Sequence, residues 1–144
     1  MIEQDTIKLL RECDAGVKMG ISAIDDVYDY VGSKNFKKAL FECKQQHAKL
    51  DIEIQDALER FHDDGKEPNP MAKGMSWMKT NVKLAIDESD GTIADLITDG
   101  CNMGVKSLNR YLNEYKAADE KIKDICKRLI NMEEKLAIEV REYL

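Results

Sequence analysis

The sequence is poor in proline, in aromatic residues and in unbroken apolar stretches. Its 144 residues include two prolines, and 6% are aromatic, whereas 35% are charged. This balance is typical of helical proteins rather than of disordered chains. No apolar run approaches the roughly 20 residues of a membrane-spanning helix, and residues 1–10 lack the basic start and apolar stretch of a signal peptide. We therefore expect a cytoplasmic protein with no membrane partner.

The chain also lacks a basic stripe and a paired-cysteine motif. Its net charge is −6, with acidic and basic residues interleaved, so we expect no nucleic-acid partner. No nucleophile elbow, phosphate loop or paired acid and base occurs at an interpretable spacing, so we predict no catalytic residue. The four cysteines form no Cys-x-x-Cys, and we expect them to be reduced thiols within helices. They are Cys13, Cys43, Cys101 and Cys126.

Apolar residues recur at spacings of three and four along most of the chain, which predicts five helices. The first two cover about residues 5–31 and 36–61, and the motif 62–65 ends the second. Asn69-Pro70 opens a shorter helix that ends near Asp87, and two long helices follow, over about 92–116 and from 119 to the end. We predict one all-α domain, 1–144, with hairpin one at 5–64, a crossover helix at 70–87 and hairpin two at 91–144.

The two hairpins are copies of one another. Residues 16–21 (Gly-Val-Lys-Met-Gly-Ile) match residues 100–105 (Gly-Cys-Asn-Met-Gly-Val), and residues 49–54 (Lys-Leu-Asp-Ile-Glu-Ile) match 135–140 (Lys-Leu-Ala-Ile-Glu-Val). The matching strings come in the same order in both hairpins, which indicates an internal duplication. The second copy is two residues longer, as a longer turn would make it.

This arrangement of helix pair, crossover helix and helix pair resembles the ferritin-like four-helix bundles, the superfamily of ferritin and rubrerythrin. In detail it is similar to small bacterial ferritin-like proteins whose crossover helix contains a tryptophan, here Trp77. The resemblance covers the whole chain and implies a di-iron oxidoreductase. Such a site takes a Glu from each of two helices and Glu-x-x-His from each of the other two.

The ligands of a di-iron site are mostly missing from this chain. His47 follows Lys44 at the i−3 position instead of a Glu, and the matching stretch of the last helix offers Glu133 without a histidine. We therefore expect the di-iron site to be lost, and we read His47 as a core histidine that hydrogen-bonds to Glu133 or to water. The alternative is a degenerate site for one iron or zinc ion at low occupancy, held by His47, Glu133 and Cys101, with Glu53 or Glu139 as further ligands.

Four glycines lie inside predicted helices, where each is unfavourable by roughly 0.5–1 kcal/mol relative to Ala. We predict that they allow the first and fourth predicted helices to pack closely near the pseudo-twofold axis. The alternative is that they leave room for a ligand or a partner subunit. These glycines are Gly16, Gly20, Gly100 and Gly104.

Three functions remain open on the sequence alone. The first is a non-catalytic scaffold or interaction protein that self-associates as a dimer, and this is the function that we expect. The second is a metal-binding protein or oxidoreductase with the degenerate site. The third is a carrier for a partner helix or a small apolar ligand. A protein partner would bind the crossover helix through Met71, Met75, Trp77 and Met78.

Overall fold

The computed structural model describes residues 2–68 and 89–144, which contain four long α-helices and no β-strand. The first hairpin consists of α1, Ile2–Tyr28, and α2, Lys34–Arg60. The second consists of α3, Asp90–Glu114, and α4, Glu120–Glu139, and a short 3₁₀ helix, Val140–Tyr143, follows. The all-α prediction is confirmed for these residues. The predicted crossover helix, 70–87, lies outside them.

Each of the last three α-helices begins at a polar side chain that caps its free N–H groups. Ser33 accepts a hydrogen bond from the backbone N–H of Phe36, and Ser89 accepts one from that of Thr92. Asp119 does the same for α4. Asp90, next to the cap of α3, also accepts hydrogen bonds from the backbone N–H groups of Gly32 and Ser33, at 2.8 and 2.9 Å. These contacts could not be predicted from the sequence.

The contacts at the helix ends define the topology. Arg11, near the start of α1, pairs with Asp63 just after α2, so α2 ends where α1 begins. Asp90 contacts Gly32 and Ser33, so α3 begins at the opposite end of the bundle. The chain therefore has to connect opposite ends of the bundle between α2 and α3. As a result α1 and α4 run parallel to one another and antiparallel to α2 and α3.

The bundle has two pairs of diagonally opposite helices, α1 with α4 and α2 with α3, and of these the first pair is in contact over the described lengths. α1 contacts each of the other three helices, whereas α2 and α3 do not contact each other over their described lengths. Small residues of α1 allow α4 to come close, since a Cβ built on Gly16 would lie 3.2 Å from a methyl of Leu129 in α4. The same Cβ would lie 3.7 Å from a methyl of Leu108 in α3, so Gly16 faces both helices. The close packing of the first and fourth predicted helices, which are α1 and α3, stays a prediction.

The apolar core is divided into two clusters, one toward each end of the bundle. The first-end cluster, where α1 begins, includes Leu9, Cys13, Val17, Leu50, Ile54, Leu108, Cys126, Leu129 and Ile130. The second-end cluster includes Ile24, Phe36, Leu40, Cys43, Ile93, Ile97, Cys101, Leu136 and Val140. Phe36 also stacks on Tyr143 of the 3₁₀ helix, with ring centroids 4.4 Å apart. No helix in the described part of the chain is long and apolar enough to cross a membrane.

Candidate functional site

A single layer of four residues separates the two apolar clusters, and each helix contributes one of them. In α1 this residue is Gly20, between Val17 and Ile24, and in α2 it is His47, between Cys43 and Leu50. In α3 it is Gly104, between Cys101 and Leu108, and in α4 it is Glu133, between Ile130 and Leu136. We call Gly20, His47, Gly104 and Glu133 the central layer. It holds an imidazole and a carboxylate between the two apolar clusters.

His47 is held at both ring nitrogens. Its Nδ1 lies 2.8 Å from the carbonyl oxygen of Cys43, one turn earlier in α2, and 3.5 Å from the Cys43 sulfur. Its Nε2 lies 3.1 Å from Oε1 of Glu133. The residue is 1% exposed, so water cannot replace these partners. The sequence prediction that His47 hydrogen-bonds to Glu133 is confirmed.

The two contacts fix the number of protons on the pair. A carbonyl oxygen only accepts, so the Cys43 carbonyl requires a proton on Nδ1. The contact between Nε2 and Oε1 then needs one more proton, which lies either on the imidazole or on the carboxyl group. The pair thus holds two protons in total, and the second makes the bond between α2 and α4.

The surroundings of His47 favour placing this second proton on the ring. Burial alone would lower the pKa of His47, but hydrogen bonds with Cys43 and Glu133, together with the negative charge of Glu133, raise it to about 10. This direction favours the protonated ring opposite Glu133. Cys101 borders the same carboxylate, and burial together with Glu133 raises the pKa of its thiol, so the thiol stays protonated.

Two glycines create the space that this pair fills. A Cβ on Gly20 would lie 2.7 Å from Nε2 of His47 and 3.4 Å from Oε1 of Glu133. A Cβ on Gly104 would lie 3.6 Å from the carboxyl carbon of Glu133. Both glycines therefore adjoin the polar pair. Gly100 is different, because no atom lies within 4 Å of a Cβ built there, and the close packing expected at this residue is not found.

The structure brings together the three residues predicted as metal ligands, His47, Glu133 and Cys101, around one carboxylate. Within residues 2–68 and 89–144 no group of three or more His, Cys, Asp or Glu side chains is arranged to hold a metal ion. The two further carboxylates lie elsewhere. Glu53 is an exposed partner of Arg128, at 2.7 and 2.9 Å, and Glu139 is 3.7 Å from Lys135.

One member of this site was missed by reasoning from the sequence. Cys43 was expected only as a reduced thiol within a helix, yet it supplies both atoms that face Nδ1 of His47. The signal was its position four residues before His47, because residues i and i+4 lie on the same face of a helix. The proposed partner surface at Met71, Met75, Trp77 and Met78 lies outside the described residues.

Comparison with known proteins yields no relative. No family model, no curated protein and no solved structure matches this chain. The candidate site is therefore interpreted from its own geometry.

Proposed function

We propose that this protein is a non-catalytic helical bundle of ferritin-like type, which has lost a di-iron site and acts as a scaffold or interaction protein. The observation that supports this proposal is the contact between His47 and Glu133. These two groups stand in the middle of the bundle and satisfy each other. Among the described residues, no buried side-chain nitrogen or oxygen lacks a hydrogen-bond partner.

The protonation of the pair argues against a resident metal ion. A metal ion between His47 and Glu133 would have to displace the proton that joins Nε2 to Oε1, because ligands bind metals in their deprotonated forms. The raised pKa of His47 opposes this displacement. The Cys101 thiol would also have to lose a proton that its surroundings stabilise.

A thermal-shift experiment tests this proposal. The purified protein is heated in the presence of EDTA and, separately, with Fe²⁺, Zn²⁺ or Mn²⁺ in tenfold excess. We expect Tm to be the same in all four samples, because a ligand stabilises a protein only when it binds the native state. A rise of several degrees with one ion, absent in Glu133→Gln, would contradict the proposal.

A metal-binding protein with a degenerate site is the second candidate, and one feature favours it. Nε2 of His47 and Oε1 of Glu133 are 3.1 Å apart, so one ion at about 2.0–2.2 Å could contact both atoms. The hydrogen bond from Nδ1 to the Cys43 carbonyl is the kind that orients a metal-bound histidine. Cys101 would be the third ligand, and iron or zinc the metal.

A carrier function finds less support in the described residues. The crevice that borders Cys43, between α2 and α4, has a volume of about 10 Å³, which is the space of about one water molecule. A second groove, of about 680 Å³, is large enough for a small ligand. Its lining is mostly charged, with Glu53, Asp56 and Arg60 among its residues, which does not suit an apolar ligand.

Self-association as a dimer is part of the proposal. Two large apolar side chains, Phe41 and Ile52, are exposed on the outer face of α2, and eleven residues are close to three helical turns, so they lie on one line along the helix. Burial of such residues between two copies would stabilise a dimer. We expect sedimentation equilibrium to give the mass of a dimer, and Ile52→Lys to weaken it. A monomer at all concentrations would contradict this part of the proposal.

A further inference from the structure

α1 and α4, which are diagonally opposite in the bundle and in contact, pack in a regular parallel register. Oγ1 of Thr6 accepts a hydrogen bond from the backbone N–H of Asp119 at 2.8 Å. Fourteen residues further along each of the two helices, Gly20 adjoins Glu133. Cys13 and Cys126 lie halfway between these two contacts. The register thus places the two thiols opposite each other.

Cys13 and Cys126 form a pair of thiols inside the core. Both are 0% exposed and belong to the first-end cluster. The two thiols are close enough for each to shift the pKa of the other, and the Cys126 thiol donates to the carbonyl oxygen of Leu108 at 3.8 Å. Neither residue takes part in the central layer, so the function proposed above does not account for the pair.

We propose that Cys13 and Cys126 are a redox site that reduces a hydroperoxide and becomes a disulfide joining α1 to α4. This inference is independent of the proposed function. Burial selects the oxidant, because hydrogen peroxide is little larger than water and can enter through local opening of the core, whereas bulky thiol reagents cannot. The substrate class is therefore a small hydroperoxide.

The chemistry takes place in two balanced steps. The Cys126 sulfur, having lost its proton, attacks one peroxide oxygen. The O–O bond breaks, a sulfenic acid forms, and the departing hydroxide takes up the proton as water. The Cys13 sulfur then attacks the sulfur of Cys126, the S–O bond breaks, and the S–S bond forms. The second hydroxide leaves as water with the proton from Cys13. Two thiols are oxidised and one peroxide is reduced to two waters.

The environment of the two thiols agrees with these roles. The hydrogen bond from Cys13 lowers the pKa of Cys126, with help from Lys127 and against the effect of burial. The same hydrogen bond and burial raise the pKa of Cys13. These directions favour Cys126 as the thiol that attacks peroxide, because the thiolate is the reactive form, with Cys13 as the resolving thiol.

The bond would link the two hairpins covalently. It would join the first helix to the last and close a loop of more than a hundred residues, which restricts the unfolded chain strongly. Oxidation should therefore make the bundle more stable, because the register of α1 and α4 already places the two residues opposite each other.

The test uses the wild-type protein, reduced and then exposed to hydrogen peroxide under native conditions. Free thiols are blocked after denaturation, and tryptic peptides are mapped without reduction. Each of the four cysteines falls in a different tryptic peptide, so the linkage is unambiguous. We expect a disulfide between the peptides 12–18 and 124–127, a Tm higher by about 10 °C, and reversal of both changes by dithiothreitol.

Variants separate this pair from the other two cysteines. The matched control Cys43→Ser/Cys101→Ser should form the disulfide as the wild type does, whereas Cys13→Ala should leave Cys126 as a sulfinic acid. The peptide map of the wild-type protein tests the proposal even if a variant fails to fold. Four free thiols after treatment, or a disulfide that involves Cys43 or Cys101, would overturn the proposal.

Discussion

At the scale of single residues, equivalent glycines of the two hairpins have different roles. Gly16 and Gly100 occupy the same place in the internal repeat, as do Gly20 and Gly104. Yet a Cβ on Gly16 would approach Leu129, whereas a Cβ on Gly100 would meet open space. The sequence identified these four residues as unusual within helices. It did not show what each adjoins, because the neighbours come from helices distant in the chain.

Replacing each of two glycines by alanine tests these environments. In Gly20→Ala the new methyl would lie 2.7 Å from Nε2 of His47 and would displace the ring, so we expect a loss of about 1–2 kcal/mol in the free energy of unfolding. The matched control is Gly100→Ala, which meets no atom and should gain about 0.5–1 kcal/mol from helix propensity. Urea denaturation measures both. Equal effects of the two substitutions would contradict the packing described.

The pair of His47 and Glu133 should make stability depend on pH. The pKa of His47 is raised from 6.5 to about 10 in the folded protein. The stabilisation from its charge is therefore complete below pH 6.5 and is lost as pH rises toward 10. We expect the difference in unfolding free energy between wild type and His47→Gln to shrink over this range, as measured by urea denaturation at several pH values. A difference that grows with pH would show that the histidine is buried in its neutral form.

At the scale of helices, the pattern of apolar residues predicted the elements well and their ends less well. The first helix was expected to reach Val31, but α1 ends at Tyr28. Val31 is nevertheless buried, because a turn with hydrogen bonds from Tyr30 to Val27 and from Val31 to Tyr28 returns it to the core. Apolar spacing reports burial, and burial continues past the end of the helix.

The loop after α2 is held onto α1 by a buried carboxylate. Asp14 is completely buried and accepts hydrogen bonds from Lys18, from Gln55 and from the backbone N–H of Lys66, at 2.9–3.1 Å. The contact with Lys18 joins residues one helical turn apart, whereas the contact with the loop follows from the turn at Gly65, whose φ of 80° favours glycine.

Removal of this carboxylate should release the loop. In Asp14→Ala three donors lose a buried partner, so we expect a loss of about 2–3 kcal/mol in stability and faster hydrogen exchange at the Lys66 amide. Asp25→Ala is the matched control, because Asp25 lies in the same helix as Asp14. This substitution removes an exposed ion pair with Lys44 of α2 and should change stability by less than about 1 kcal/mol. Unchanged exchange at Lys66 in Asp14→Ala would refute the anchoring role.

At the scale of the whole molecule, the internal repeat had predictive value for the site. It related His47 to Glu133, and the structure joins them at 3.1 Å across the bundle. The repeat did not predict that α1 and α4 would approach while α2 and α3 remain apart. Symmetry in sequence leaves both diagonals equivalent. In the structure Gly16 of α1 adjoins Leu129 of α4, whereas Gly100, which matches Gly16 in the repeat, adjoins no atom within 4 Å of a Cβ built there.

Between the two apolar clusters, His47 and Glu133 face each other at 3.1 Å, and we propose that this proton-linked pair takes the place of a metal centre. The most direct measurement is elemental analysis of the wild-type protein and of His47→Ala, both purified anaerobically without chelator. We predict far less than one equivalent of iron, zinc or manganese in either protein. One equivalent or more in the wild type, lost in His47→Ala, would contradict the account and assign the central layer to metal binding.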